Sequence, residues 1–250
     1  MPDGLRLALT TLTVLPFRRP GPLDRLARGR GRALAPLLGI LLALVAGTAA
    51  YLVRVLGGGD LLAAVVALAI LAALTRGMHL EGLARLADGP AKGHDPTTAA
   101  PLGPRGTVAL VLLLLLQAAA LARGYVDHRG TACLVLAVAT GWLAAAWAGG
   151  GPAATTGSRA PGAGTSGQRA LLRWTAGLAL VAAAYAAVDP HGESVGLELL
   201  RTTAALAVGL GTGRLLLLHA VRPGDGMKGD QLGALVEVST AAALLVLALG

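Results

Sequence analysis

A single cysteine, Cys133, set inside an apolar run, excludes an internal disulfide and any metal site built from several thiolates. Aromatic residues are nearly as scarce, with one Phe, three Trp and three Tyr. That supply suits helices packed closely in lipid better than an aromatic-rich core. Charge is thin as well: only 14% of the 250 residues are Asp, Glu, Lys or Arg, while 55% are hydrophobic and the mean hydropathy is +0.69. A soluble domain does not have this balance, so the chain reads as a membrane protein. What is abundant is Ala, Leu and Val, together with 36 Gly, the small residues that let helix backbones approach one another in a bilayer.

Seven apolar windows have the character of membrane spans: 33–53, 61–75, 107–122, 132–149, 170–188, 202–219 and 232–249. A span needs about 20 residues, so the short second and third windows must borrow flanking residues. The expected fold is all-α, a polytopic transmembrane helical bundle of about seven spans forming one integral membrane domain over 1–250. The first window follows a polar, basic segment, 1–32, and is not expected to be a cleavable signal. The run GGGPAATTGSRAPGAGTSGQ, 149–168, is low in complexity and reads as a loop.

With seven spans, the N-terminus and the loops 76–106, 150–169 and 220–231 share one side. That side collects 17 of the 21 Lys and Arg residues, leaving Arg54, Arg123, Arg129 and Arg201 for the other. The positive-inside rule makes the crowded side cytoplasmic, which predicts a multi-pass protein of the inner (plasma) membrane with a cytoplasmic N-terminus. Topology and contact with anionic membrane lipid account for the net charge of +8, and no nucleic-acid partner is expected.

Two polar clusters fall on that face. In HLEGLARLADG, 79–89, a helix continued from the second span puts Glu81, Arg85 and Asp88 at i, i+4 and i+7 on one side. Carboxylates placed this way suit Mg²⁺, which commonly joins one or two of them to substrate phosphates. The plainer reading is a Glu81–Arg85 helix pair with Asp88 opening a turn. His79, beside an apolar run, reads more readily as an interfacial or hydrogen-bonded histidine than as a ligand. In RPGDGMKGDQLGALVE, 222–237, Gly224, Gly226 and Gly229 leave backbone N–H groups open to an anion, and Lys228 adds a point charge. Asp230 and Glu237 repeat the seven-residue spacing. Asp230 also suits a helix N-cap, but Glu237, two turns inside an apolar helix, is costly unless paired or metal-bound.

These motifs resemble those of the cobalamin synthase family, the adenosylcobinamide-GDP ribazoletransferases. HLEGLARLADG is similar to that family's HLDGLADTADG, KGDQLGALVE to its TGDxLGAxxE, and LALTTLTVLPF, 7–17, to its N-terminal opening. The order and spacing agree over essentially the whole chain. The resemblance implies transfer of adenosylcobinamide phosphate from adenosylcobinamide-GDP to α-ribazole or its 5′-phosphate, with release of GMP and Mg²⁺ as cofactor. It implies metal ligation by Glu81, Asp88, Asp230 and Glu237, with Glu81, Asp88 or Asp230 as base. Substrate contacts would come from His79, Arg85, Lys228, Gly229 and Gly233. This chain departs from the family pattern at Glu81, where the pattern has Asp, and at Arg85, where it has a second Asp. Ala99 stands at an acidic position of a DSxxGxxG segment, here AAPLGPRG, and an arginine of the fourth span is missing near Gly141.

Alternatives remain at this point. A non-catalytic relative would keep the fold and act as a membrane scaffold for other corrinoid-assembly enzymes. A CDP-alcohol phosphotransferase opens with DGxxAR, and EGLAR has one residue too few between Gly and Ala. A transporter is the weakest reading, because broken helices at matched positions in two halves are not evident.

Overall fold

The computed structural model describes residues 34–89, 102–150, 164–188, 195–220 and 229–249. Among these residues all regular structure is helical: α1 Ala35–Val55, α2 Gly59–Leu74, α3 Met78–Asp88, α4 Pro104–Val126, α5 Gly130–Gly150, α6 Gly164–Val188, α7 Val195–Ala220 and α8 Gly229–Ala248. Each of the seven apolar windows coincides with a helix, because long Ala/Leu/Val runs in lipid must satisfy every backbone group internally. Among the described residues five helices, α1, α4, α5, α7 and α8, are long and apolar enough to cross a membrane, and α2 with α3 makes a sixth candidate bent by 90°. Among the described residues α6 adds the apolar stretch Leu171–Val181.

The structure differs from the sequence reading in three places. The second span does not run on through HLEGLARLADG: α2 ends at Leu74, Arg76 (φ 54°) and Gly77 (φ 67°) take left-handed backbone, and α3 leaves at 90°. Two successive residues in that conformation cannot continue a right-handed helix, and glycine tolerates it without cost. The loops expected at 76–106 and 220–231 are shorter than drawn, since they contain α3 and the starts of α4 and α8. The loop at 150–169 is likewise cut back, with α6 beginning at Gly164. The N-terminal segment 1–32 and residues 90–101, 151–163 and 221–228, hence Ala99, Gly224, Gly226 and Lys228, lie outside the described residues.

α8 is the axis of the bundle, packed against α3, α4, α5 and α7. Close approach is made by small residues. The Gly141 Cα on α5 lies against the Val236 carbonyl and Thr240 of α8, and Gly213 on α7 lies against Ser239. Leu121, Leu134, Leu143 and Leu244 fill the core, while Leu41, Val45, Leu112, Leu115, Leu215 and Leu218 point outward, as side chains facing lipid do.

The two ends of the bundle differ in charge chemistry. At one end, Arg54 pairs with Asp60 (2.6 Å) and donates to the Tyr125 carbonyl, and Arg123 pairs with Asp127 (2.9 Å). There Glu198 also accepts from both Arg129 (2.6 Å) and Arg201 (2.9 Å), all three side chains being buried. All four basic residues assigned to the sparsely charged side are thus gathered at one end, each beside an acid. The opposite end carries α3 and the first turns of α4 and α8.

Candidate active site

α3 is amphipathic and crosses α8 near the start of the latter. The crossing is backbone against backbone, because both helices present glycine. A Cβ on Gly82 would lie 2.6 Å from the Asp230 carbonyl oxygen and 3.1 Å from its Cα. One on Gly233 would lie 3.0 Å from the His79 Cα. The two motifs that stand about 150 residues apart in sequence are therefore in direct contact.

Asp88, the last residue of α3, joins a third segment to this surface. The Gly103 N–H donates to its Oδ2 and the Gly106 N–H to its Oδ1, both at 2.7 Å. These N–H groups belong to the N-cap and third residue of α4, whose first residue is Pro104. A helix start leaves such donors without intrahelical partners, and a carboxylate there also meets the positive end of the helix dipole. Glycine is required at 106, where a Cβ would strike the Ala84 carbonyl and the Asp88 carboxylate. The GxxG of AAPLGPRG thus receives a physical role as the seat of Asp88.

The remaining residues singled out from the sequence are distributed as follows. Glu81 pairs with Arg85 (2.6 Å) on the open side of α3, with side-chain exposures of 50% and 37%, and the Arg85 Nε is buried without a partner among the described residues. His79 is buried edge-on against Trp142 of α5, ring centroids 5.1 Å apart, as a packed histidine would be. Gly229 opens α8, and a Cβ there would meet open space. Glu237 sits two turns along α8, about 10 Å of rise from Asp230, and accepts a hydrogen bond from Gln117 of α4 (3.0 Å). The structure brings His79, Gly82, Asp230 and Gly233 to one crossing, leaves the Glu81–Arg85 pair on the open side of α3 and ties Asp88 to α4. It does not gather the four carboxylates expected to share one ion: among the described residues no three His, Cys, Asp or Glu side chains stand close enough to hold a metal.

Gln117 escaped the sequence reading, although it is the one polar side chain in the run 108–122. Trp142 and Thr240, which share its surroundings, give no local signal.

With this geometry in hand, the similarities of the chain can be placed. Residues 4–248 match the family model described as cobalamin-5-phosphate synthase. The chain belongs to the cobalamin-5-phosphate synthase family. Relatives named adenosylcobinamide-GDP ribazoletransferase include one from Frankia casuarinae, 38% identical over 98% of this chain and 94% of the relative. Another, from Nocardioides sp., is 30% identical over 98% of both chains, and one from Ectopseudomonas mendocina is 35% identical over 98% of both. No solved structure matches the chain. In this member of the cobalamin-5-phosphate synthase family, the α3 and α8 motifs that carried the resemblance form one surface.

Proposed function

We propose that the chain transfers adenosylcobinamide phosphate from adenosylcobinamide-GDP to a ribose hydroxyl of α-ribazole or its 5′-phosphate. The hydroxyl oxygen forms a bond to the cobinamide-side phosphorus, the pyrophosphate P–O bond breaks, and GMP leaves. The full-length family match carries this reading. The crossing of α3 and α8 supports it, since transfer between phosphates needs charge and position on one surface rather than covalent chemistry from the protein.

Glu81 and Asp230, on the two helices of the crossing, are the carboxylates that would hold Mg²⁺, which needs only one or two of them beside substrate phosphates and water. Bound there, the ion would neutralise charge on the pyrophosphate and the departing GMP. Arg85, whose side chain is partly exposed and pairs with Glu81 through one terminal nitrogen, bears on the phosphate, and Lys228 is proposed to add a second charge. Glu81 or Asp230 takes the hydroxyl proton. Asp88 holds the start of α4 against α3.

The α3 end of the bundle is proposed to face the cytoplasm of a plasma-membrane protein, supported by the basic residues of its loops. A scaffold for other corrinoid-assembly enzymes is the second reading, favoured by Arg85 at an acidic family position and its occupation of Glu81. Membranes containing the protein, given adenosylcobinamide-GDP, α-ribazole and Mg²⁺, are expected to yield a cobalamin product and GMP in equal amounts. Corrinoid binding without GMP, beside an active family enzyme, would establish the scaffold instead.

A further inference from the structure

Beneath the crossing, inside the bundle, lies a cavity of about 30 Å³ lined by Thr75, His79, Gln117, Trp142, Glu237 and Thr240 among apolar side chains. Its acid, Glu237, belongs to a membrane-spanning helix. Gln117 Nε2 donates to the Glu237 carboxylate (3.0 Å) and approaches the Glu237 carbonyl (3.4 Å). Among the described residues no Lys or Arg pairs with Glu237. A carboxylate left in that setting with one neutral partner is expensive.

Two further hydroxyl-bearing side chains line the same space. Thr240 is only 5% exposed, and its Oγ1 has no hydrogen-bond partner among the described residues. Thr75, equally buried, donates its hydroxyl to the Leu71 carbonyl (2.8 Å) and approaches the Ala72 carbonyl (3.3 Å), and its oxygen retains acceptor capacity. One negative charge and two neutral hydroxyls lining a small cavity match a small ion of charge +1. Mg²⁺ is a poor fit, because it demands near-octahedral oxygen coordination and keeps several waters, and this mostly apolar lining offers it a single carboxylate.

We propose that this cavity binds a small monovalent cation of the Na⁺ class, held by the Glu237 carboxylate with Thr240 and Thr75 as oxygen donors and Gln117 bracing the carboxylate. The site is separate from the surface assigned to phosphoryl transfer, and it stands or falls independently of that reading. An ion there links α2 and α8 through its ligands and stabilises the folded bundle by mass action.

The test is the thermal midpoint of the purified protein in detergent, titrated with NaCl or with choline chloride at equal ionic strength, and separately with MgCl₂. The expected result is a saturable rise on the order of 2–4 °C with Na⁺ alone. Glu237→Gln, which keeps the shape and the Gln117 contact, abolishes the rise, and Thr240→Val moves it to higher Na⁺. Equal responses to NaCl and choline chloride would mean that water or a proton fills the cavity, and a response to Mg²⁺ alone would mean a divalent site. Either result overturns the proposal, as does a Na⁺ response that survives Glu237→Gln.

Discussion

Asp88 places both carboxylate oxygens on backbone N–H groups of another helix, so its first effect is on structure. In Asp88→Asn one oxygen becomes an NH₂ that faces an N–H donor, and we expect a loss of about 2 kcal/mol, measured by thermal unfolding in detergent. Loss of transfer with an unchanged midpoint would assign Asp88 to the chemistry instead. Arg85 is the opposite case. Its pair with Glu81 is exposed, and exposed pairs contribute little, so Arg85→Gln should leave stability within about 0.5 kcal/mol. If its charge bears on phosphate, KM for adenosylcobinamide-GDP should rise about tenfold, the worth of one charged hydrogen bond. At this scale the sequence showed which residues carry charge and offered the Glu81–Arg85 pair as one reading, because i, i+4 partners are local. The Asp88 contacts span 15 and 18 residues, and no local pattern announces a cap supplied from another helix.

The decisive element is α3, set across the bundle instead of along it. Its direction comes from Arg76 and Gly77. The sequence reading continued the second span through Gly77, because a left-handed arginine at the preceding position is a conformation that tertiary packing imposes and sequence periodicity does not reveal. The i, i+4, i+7 face expected for Glu81, Arg85 and Asp88 exists all the same, since all three lie within α3. The approach of α3 to α8 depends on glycine, and Gly233→Val must push the His79 backbone away. A displacement of about 1 Å at a site that works by positioning can cost about a hundredfold in rate. We therefore expect GMP release to fall by that order while membrane insertion and detergent monodispersity persist. A Gly233→Val protein with full activity would show that the crossing does not position the site.

For the whole molecule, the seven windows were legible because Ala, Leu and Val runs of span length have few alternatives in lipid. The grouping of Arg54, Arg123, Arg129 and Arg201 at one end followed from counting spans. Their neutralisation by Asp60, Asp127 and Glu198 did not, since it depends on helix ends meeting in space. The proposed orientation is open to thiol labelling in a Cys133→Ala background: Arg105→Cys should react only from the cytoplasmic face and Leu56→Cys, fully at the other end, only from outside. The reverse pattern would invert the topology.

The central claim is that the crossing of α3 and α8 is where the phosphoryl group moves. A density map of the protein in lipid nanodiscs with adenosylcobinamide-GDP and Mg²⁺ tests it most directly. The account predicts pyrophosphate density at the rim of the crossing, beside the buried Gly82 and Gly233 and within reach of Arg85 and Asp230. Density at the Arg54 and Glu198 end, or a layer of side chains or lipid between α3 and α8, would contradict it.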